Sequence, residues 1–341
     1  MPSSDGDQAS SSEAREGEGI NAVRRAALIV NRRGRRGRKA LDSGLRVLED
    51  AGIDVSIHLV RDPKRFSEVL QRAAADVDML ILGGGDGTLC MSIEDVLRTG
   101  LPLGILPLGN ANDLARTLSI PLGVKAACEI IAAGHTSRID LGSVNGKHFF
   151  NVASMGVSVR IARRLTNEKK RRFGLASYVF AAWEAITRAR SFSAEVVCDG
   201  KKEHMRAIQV AVGNGRYYGG GLIVTDDAAI DDGRLDLYSL GRAPFWKLML
   251  LVPLLRLGKH GYAKNVEMRR AEKIEITTDP ILSINTDGEV TTRTPASFVV
   301  VRGALEVFTP RVEKRRQEGL PDEHSEGAAR NSPERSNRSR H

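Results

Sequence analysis

Met79-Leu80-Ile81-Leu82-Gly83-Gly84-Gly85-Asp86-Gly87-Thr88 decides how this chain is read. Four apolar residues run straight into three glycines, an acid, a fourth glycine and a threonine. A short apolar run bounded by glycine reads as a strand buried on both faces. Glycines after such a strand let the backbone approach a ligand, and their N–H groups form a nest for anions such as phosphates. The spacing is neither a P-loop, which ends in Gly-Lys-Ser/Thr, nor the dinucleotide fingerprint. Asp86 is suited to hydrogen bonding or to holding a magnesium-bound water, and Thr88 to contacting a phosphate. The same residues also describe a glycine-rich turn that happens to carry an acid.

Outward from this strand, the first part of the chain alternates. Residues 26–30 form a short apolar run ending at Asn31, and 55–60 and 103–106 read as further strands. Helical spacing occupies 40–51, 66–75, 92–98 and 111–119. Strands separated by helices imply a parallel sheet covered by helices. Such sheets bind ligands beyond the carboxyl ends of their strands, where Asn31 and the glycine loop fall. After about His135 the texture changes. Short β-rich runs appear at 149–153, 193–198, 208–212, 235–240, 273–278 and 298–301, with turns at Asp199-Gly200, Asp232-Gly233 and Asp287-Gly288. Helical stretches interrupt near 175–188 and 244–257. The expected fold is an α/β N-terminal domain with a parallel sheet, followed by a mostly antiparallel β domain. The expected organisation is a disordered tail over 1–21, the α/β domain over 22–134, the β domain over 135–310 and a second disordered tail over 311–341.

Composition bounds the function classes. The 341 residues are 41% hydrophobic and 27% charged, enough for a core without a disulfide or metal staple. Cys90, Cys128 and Cys198 are far apart and form no CxxC pair, which fits a reducing, cytoplasmic setting. No apolar run precedes Ala26, so no secretory signal is read. The most apolar stretch, 245–257, is interrupted by Lys247, Pro253 and Arg256 and falls short of the ~20 residues that span a bilayer. A formal net charge of +9 directs attention to anionic partners: nucleotides, nucleic acid or acidic lipid headgroups.

Three more motifs bear on chemistry. In Gly104-Ile105-Leu106-Pro107-Leu108-Gly109-Asn110-Ala111-Asn112-Asp113-Leu114, a strand ends at Pro107 and a helix begins near Asn112, an N-cap residue type. A helix N-terminus beside the glycine loop favours phosphate, although an ordinary helix start needs the same residues. Val212-Gly213-Asn214-Gly215, Gly219-Gly220-Gly221 and Asp231-Asp232-Gly233-Arg234-Leu235-Asp236 combine glycines with an acidic turn, which suits either Mg²⁺ or a pair of β-turns. Ile284-Asn285-Thr286-Asp287-Gly288-Glu289 sets two carboxylates around a glycine. One is suited to accept a hydroxyl proton and the other to orient metal or phosphate; a hairpin turn with a surface acid pair reads the same way.

In this order the four motifs resemble those of the diacylglycerol kinase catalytic-domain family of lipid kinases, in its bacterial branch, from about Ala26 to Phe308. The glycine-Asp86 loop is shared with the related NAD kinases and phosphofructokinases. The set with Leu106-Pro107-Leu108-Gly109, Ala111-Asn112-Asp113, Gly213-Asn214-Gly215 and Asp287-Gly288-Glu289 is specific to the lipid kinases. The resemblance implies an α/β domain and a β-sandwich domain with ATP between them. It implies that Asn31, Gly84, Gly85, Asp86, Gly87, Thr88 and Asn110 bind the nucleotide, and that Asp86 and Asp113 are active-site acids. It implies that Glu289 accepts the proton, with Asp287 beside it. It also implies a Mg²⁺ site made by the Asp232 side chain with the backbone carbonyls of Ala229 and Arg234. The chain departs from the family pattern in its arginine-rich run after Asn31, in Cys90 where Asn is usual, in Asn110 where Thr or Ser is usual, and in lacking a Thr near Val60-Arg61.

The implied activity is ATP-dependent phosphorylation of a lipid hydroxyl, of diacylglycerol or a related lipid, by an enzyme lying peripherally on an anionic membrane surface. Lys169-Lys170-Arg171-Arg172, ahead of Phe173, Tyr178, Phe180 and Trp183, and the stretch 245–257 suit such a surface. A buried core helix has the same pattern. A homodimer through the β domain is compatible with the sequence. Two other readings stand beside this one. A NAD kinase-like phosphotransferase shares the glycine loop but not the Pro107–Asp113 or Asp287–Glu289 motifs. A non-catalytic basic protein binding nucleic acid or lipid would use the arginine run. No helix-turn-helix, RNP-type or zinc signature accompanies that run, so no nucleic-acid partner is expected.

Overall fold

The computed structural model describes residues 24–31, 38–159, 189–215, 217–218, 222–223, 229–241 and 266–311. Both tails, the arginines at 32–36, and the basic-aromatic stretches at 169–183 and 245–257 lie outside the described residues.

The apolar run behaves as its composition requires. β3 (Met79–Gly84) is buried over its whole length. It pairs in parallel with β1 (Arg24–Asn31) and with β4 (Leu103–Pro107), and β2 (Ile53–Val60) lies parallel to β1 at the edge. Helices α1 (Arg38–Asp50) and α5 (Val124–Ala132) pack on one another, as do α2 (Phe66–Ala73) and α3 (Asp86–Thr99). Their apolar residues, among them Leu48, Phe66, Leu70, Ile93 and Ile131, share one buried core with the strands. Gly44 admits the first of these contacts, since a Cβ there would lie 2.8 Å from Cys128 Sγ. A short helix, α4 (Asp113–Thr117), follows β4.

The sheet continues past β4. The last strand, β18 (Ala296–Phe308), returns to lie parallel to β4, with Val307 opposite Leu103. Beyond it come β15 (Lys273–Asp279), β8 (Phe192–Cys198) and β9 (Lys201–Ala207), all antiparallel. β5 (Thr136–Val144) runs along β18, and β6 (Lys147–Phe149) pairs with β5. A six-stranded antiparallel sheet has the order β14 (Val266–Ala271), β13 (Leu235–Leu240), β10 (Gln209–Gly213), β7 (Val152–Gly156), β16 (Ser283–Thr286), β17 (Glu289–Arg293). β11 (Tyr217–Tyr218) and β12 (Leu222–Ile223) make a separate pair. Ala153, Met155, Val210, Val212, Leu237 and Ile284 of the six-stranded sheet meet Phe192, Ala194, Val196, Ile274, Ile276 and Phe298 of the larger one in one buried cluster. Two antiparallel faces closed on an apolar layer make the C-terminal half a β-sandwich. The α/β half followed by a β-sandwich is the fold class expected from the sequence.

Phe149 shows how tightly this layer is built. It is fully buried and stands opposite Gly142 on the neighbouring strand. A Cβ at position 142 would overlap the Phe149 ring. Gly142→Ala is therefore expected to lower the unfolding free energy by about 1–3 kcal/mol, the usual cost of overpacking. Urea unfolding measures this, and an unchanged midpoint would contradict the packing.

Candidate functional site

β3 leads into α3 with almost no connecting loop. Gly85 is the N-cap and Asp86 the first helical residue. Helical spacing is visible in the sequence only from Ser92 because Gly85, Asp86 and Gly87 hide the apolar period. N–H groups in a helix's first turn have no carbonyl partner within the helix, and the dipole adds positive character there. Asp86 and Gly87 therefore offer donors to an anion. Gly87 is exposed, and a Cβ built on it meets nothing within 4 Å. Thr88 is buried, and its hydroxyl accepts from Asn31 Nδ2 at 3.1 Å. Asn31, at the end of β1, thus braces the loop from the neighbouring strand.

The chain leaving β4 crosses this loop at touching distance. A Cβ on Gly85 would lie 2.9 Å from Gly109 Cα, and one on Gly109 would lie 2.5 Å from Gly85 Cα. Only glycine at both positions lets the two backbones cross. The Leu108 N–H donates to Gly84 O at 2.8 Å, locking the crossing. Asn112 occupies the N-cap of α4 in the left-handed region, at φ 52 and ψ 49. Its side chain does not cap the helix, as the sequence suggested. Oδ1 accepts from the Gly109 N–H at 2.9 Å and Nδ2 donates to Gly109 O at 3.0 Å, closing the loop on itself. Asp86 Oδ1 accepts from the Leu114 N–H at 3.3 Å, so the acid of the first motif stabilises the helix of the second. Asp113 is buried one residue before Leu114, and Asn110 is exposed on the crossing loop.

The β-sandwich supplies the other wall. Asp287, at φ 46, sits in the turn between β16 and β17. Its Oδ2 accepts from the Phe150 N–H at 2.6 Å, and Oδ1 accepts from the N–H groups of Asn151 and Val152, both at 3.0 Å. The Asp287 N–H donates to Val152 O at 2.9 Å. The same segment is held from other sides. Asn214 Nδ2 donates to Phe150 O at 2.8 Å, and the Asn214 and Gly215 N–H groups donate to Asn151 O at 2.8 and 3.1 Å. Thr117 Oγ1 donates to Asn151 Oδ1 at 3.2 Å. Residues 149–153 read from sequence as one strand; instead β6 and β7 are separated by Phe150-Asn151. The second, third and fourth motifs meet on three residues that sequence reading did not single out. The one available signal was a polar Asn151 inside an apolar run.

Cys90, one turn along α3 from Asp86, meets the Asp287 turn. Its Sγ lies 3.8 Å from Thr286 O. Burial and the carboxylates of Asp287, Glu289 and Asp86 push its pKa far up, so it stays a neutral thiol. Asp287 itself is pushed up to about 6, first by burial and also by Asp86, against the pull of its three backbone donors. Cys90 thus links Asp86, one turn before it on α3, to the turn between β16 and β17, where Glu289 is paired with Thr286 and exposed at the start of β17.

The acidic turn at 229–234 is anchored elsewhere. Asp232 Oδ1 accepts from the Arg234 N–H at 3.0 Å, while Oδ2 lies 3.2 Å from Arg270, which also bonds Asp236 at 3.0 Å. Asp140, another residue missed in the sequence, is buried and fixes this turn. Its two oxygens accept from the Gly233 and Gly303 N–H groups, each at 2.7 Å. The Asp232 carboxylate with the Ala229 and Arg234 carbonyls is the hard oxygen set that Mg²⁺ prefers. A cation there would share Asp232 with Arg270. Among the described residues, no group of three or more His, Cys, Asp and Glu is disposed to hold a metal.

The diacylglycerol kinase catalytic domain matches residues 25–144, and the YegS C-terminal NAD kinase beta sandwich-like domain matches residues 151–309. A diacylglycerol kinase of Mycobacterium tuberculosis is 32% identical over 281 residues, covering 80% of this chain and 90% of its own. The chain belongs to the diacylglycerol kinase catalytic-domain family. A diacylglycerol kinase of Staphylococcus saprophyticus is 27% identical over 276 residues, again 80% of this chain and 90% of its own. The crystal structure of a diacylglycerol kinase from Bacillus anthracis superposes with a TM-score of 0.67 at 23% identity, covering 84% of this chain and 97% of that one. A second crystal structure from that organism gives 0.75 at 24% identity, covering 86% and 98%. The two-part fold is therefore shared with these structures. Among the described residues no helix is long and apolar enough to cross a membrane.

The raised Asp287 pKa carries a sign that can be checked. The unfolded carboxyl releases its proton near 3.8 and the folded one near 6, so between these values the folded chain holds more protons. The contribution of this group to stability therefore falls as pH rises through that window. Asp287→Asn cannot titrate and also lacks the carboxylate's bonds. It is expected to be less stable throughout, and its unfolding free energy should lack this decline between about pH 4 and pH 6. Parallel pH profiles for the two proteins would contradict the assignment.

Proposed function

We propose that this kinase-family protein transfers the γ-phosphoryl group of ATP to the hydroxyl of a diacylglycerol-like lipid. The observation that carries this reading is the contact of α3, which begins at Asp86, with the sandwich turn that bears Asp287 and Glu289, made where Cys90 Sγ meets Thr286 O. Open backbone donors and carboxylates from two walls are what phosphoryl transfer needs, because the reaction is mostly positioning and charge neutralisation.

Bound ATP supplies the phosphoryl group. The first-turn N–H groups of Asp86 and Gly87 and the Thr88 hydroxyl, beside the Gly84-Gly85 backbone and with the α3 dipole, would balance phosphate charge, with Asn31 and Asn110 at the loop's edges. Asp86 is suited to hold a magnesium-bound water beside the nucleotide, with Asp113 as a second active-site acid in this proposal. Asp287 has both oxygens committed to backbone donors, so it positions the turn and leaves proton transfer to Glu289. The Glu289 carboxylate takes the hydroxyl proton as the lipid oxygen bonds to phosphorus and the bond to the leaving ADP oxygen breaks. Asp232 with Ala229 and Arg234 is a separate Mg²⁺ site in this proposal, one in which the ion would compete with Arg270. A lipid acceptor brings the protein peripherally to a membrane from the cytoplasm. The net charge of +9 favours an anionic surface.

Transfer of labelled phosphate from ATP with Mg²⁺, into a panel of lipid alcohols in mixed micelles with NAD added, tests the reading. Labelled lipid is expected; labelled NAD would move the protein to the neighbouring NAD kinases. Glu289→Gln is expected to lower kcat by about 10²–10⁴-fold while nucleotide binding persists. Near-normal turnover would sink the base assignment.

A further inference from the structure

The acidic turn at 229–234 already meets a cation of the chain's own. Arg270 lies on β14 directly opposite Asp236 of β13. Leu235, Leu237 and Ala271, which alternate with this pair, point into the sandwich core, so Asp236 and Arg270 share the other face. The guanidinium turns one edge toward two acids. Its Nε lies 3.0 Å from Asp236 Oδ1, and its Nη2 lies 3.2 Å from Asp232 Oδ2. A planar fork fixes both donors at once, whereas a lysine ammonium is a point charge on a flexible stem. The Asp232 side chain is 24% exposed and the Asp236 side chain 10%, so the two contacts are partly withdrawn from water.

The turn is also held in shape by the protein alone. Asp232 Oδ1 accepts from the Arg234 N–H at 3.0 Å, which closes the turn on its own carboxylate. Asp140 accepts from the Gly233 N–H, and its other oxygen ties the turn to Gly303 of β18. Gly233, at φ 69, has the left-handed conformation that glycine favours, and a Cβ there would lie 2.6 Å from Arg302 Nε. Both oxygens of Asp232 thus have donors, one from the backbone and one from Arg270. A divalent ion on Oδ2 would share one carboxylate with a guanidinium, and the two cations repel at that distance. The ion binds there only as Arg270 withdraws, and Arg270 has a place to remain, because Nε keeps Asp236.

We propose that Arg270 is the resident cation of this turn. It neutralises Asp232 in the position a divalent ion would take, so the turn folds without metal, and Mg²⁺ enters only by displacing the guanidinium. The inference rests on the Mg²⁺ site of the proposed function and sets its regulation: the site is a weak one, filled at high Mg²⁺, and the fold does not depend on it. With a neutral side chain at position 270 the character of the turn reverses. Asp232 and Asp236 then lose their shared counter-charge, and the ion becomes the group that restores it.

Thermal unfolding in EDTA and in millimolar Mg²⁺, with no nucleotide or lipid present, tests this apart from any phosphoryl transfer. The wild-type midpoint is expected to respond to Mg²⁺ no more than that of Asp232→Asn. A larger response in the wild type overturns the proposal. Arg270→Gln is expected to melt lower in EDTA and to regain about 2–4 °C in Mg²⁺. Mn²⁺ titration followed by electron paramagnetic resonance reads the site itself. Arg270→Gln should bind the ion roughly five- to fiftyfold more tightly than the wild type, and adding Asp232→Asn should abolish that gain. Arg270→Lys, charged but without the fork, should fall between the two. Equal Mn²⁺ affinity in the wild type and Arg270→Gln overturns the role of Arg270 alone. Binding that Asp232→Asn never alters, in either background, refutes the Mg²⁺ site of the proposed function, and this inference with it.

Discussion

Three consecutive backbone N–H groups, of Phe150, Asn151 and Val152, converge on the single carboxylate of Asp287. Bonds from neutral donors to an ionised acceptor are among the stronger hydrogen bonds. These three tie the start of β7 to the turn before β17. Asn214 and Thr117 grip the same residues from the adjoining strand and from α4. The segment is therefore the junction at which the α/β half, the sandwich and the Glu289 turn take up their relative positions. Burial opposes the charge that makes the clamp strong, so the arrangement holds an acid at the edge of ionisation inside the fold.

A second constraint is steric. Gly85 and Gly109 cross without room for a methyl group between them. This crossing brings the ends of β3 and β4 together, with Asp86 accepting from the first turn of α4. The loop keeps its shape because Asn112 satisfies both the donor and the acceptor of Gly109. In the proposed function, an open helix N-terminus held by such a rigid crossing would be preorganised for phosphate, with little ordering left to complete.

Much of this was legible in the sequence, for identifiable reasons. A fully buried parallel strand has an unmistakable apolar run, which is why β3 stood out. Glycines at the crossing and acids at the turns also mark their own positions. The start of α3 was hidden because the residues that open its N-terminus to a ligand, Gly85 and Gly87, are poor helix formers. Asn112 was recognised at the right place with the wrong bond, since a cap and a loop closure use the same amide. The Asp287 partners were invisible because backbone N–H groups carry no sequence signature. Asp140 was missed for the same reason, as its two oxygens bind only the backbone of Gly233 and Gly303. β18 was read as a fragment because Arg302 and Gly303 interrupt its period, at the irregularity in its pairing with β5.

The motifs spread along the chain thus gain chemical meaning through contacts made by residues that look ordinary. Asp86 begins helix α3 and Glu289 begins β17, and the clamp at 150–152 holds the turn before β17 where Cys90 of α3 meets it. Amide hydrogen exchange at Phe150, Asn151 and Val152, read residue by residue by NMR at neutral pH, measures that clamp directly. The account predicts protection comparable to that of the buried strand β10 beside them. Exchange at the rate of an open chain would contradict it.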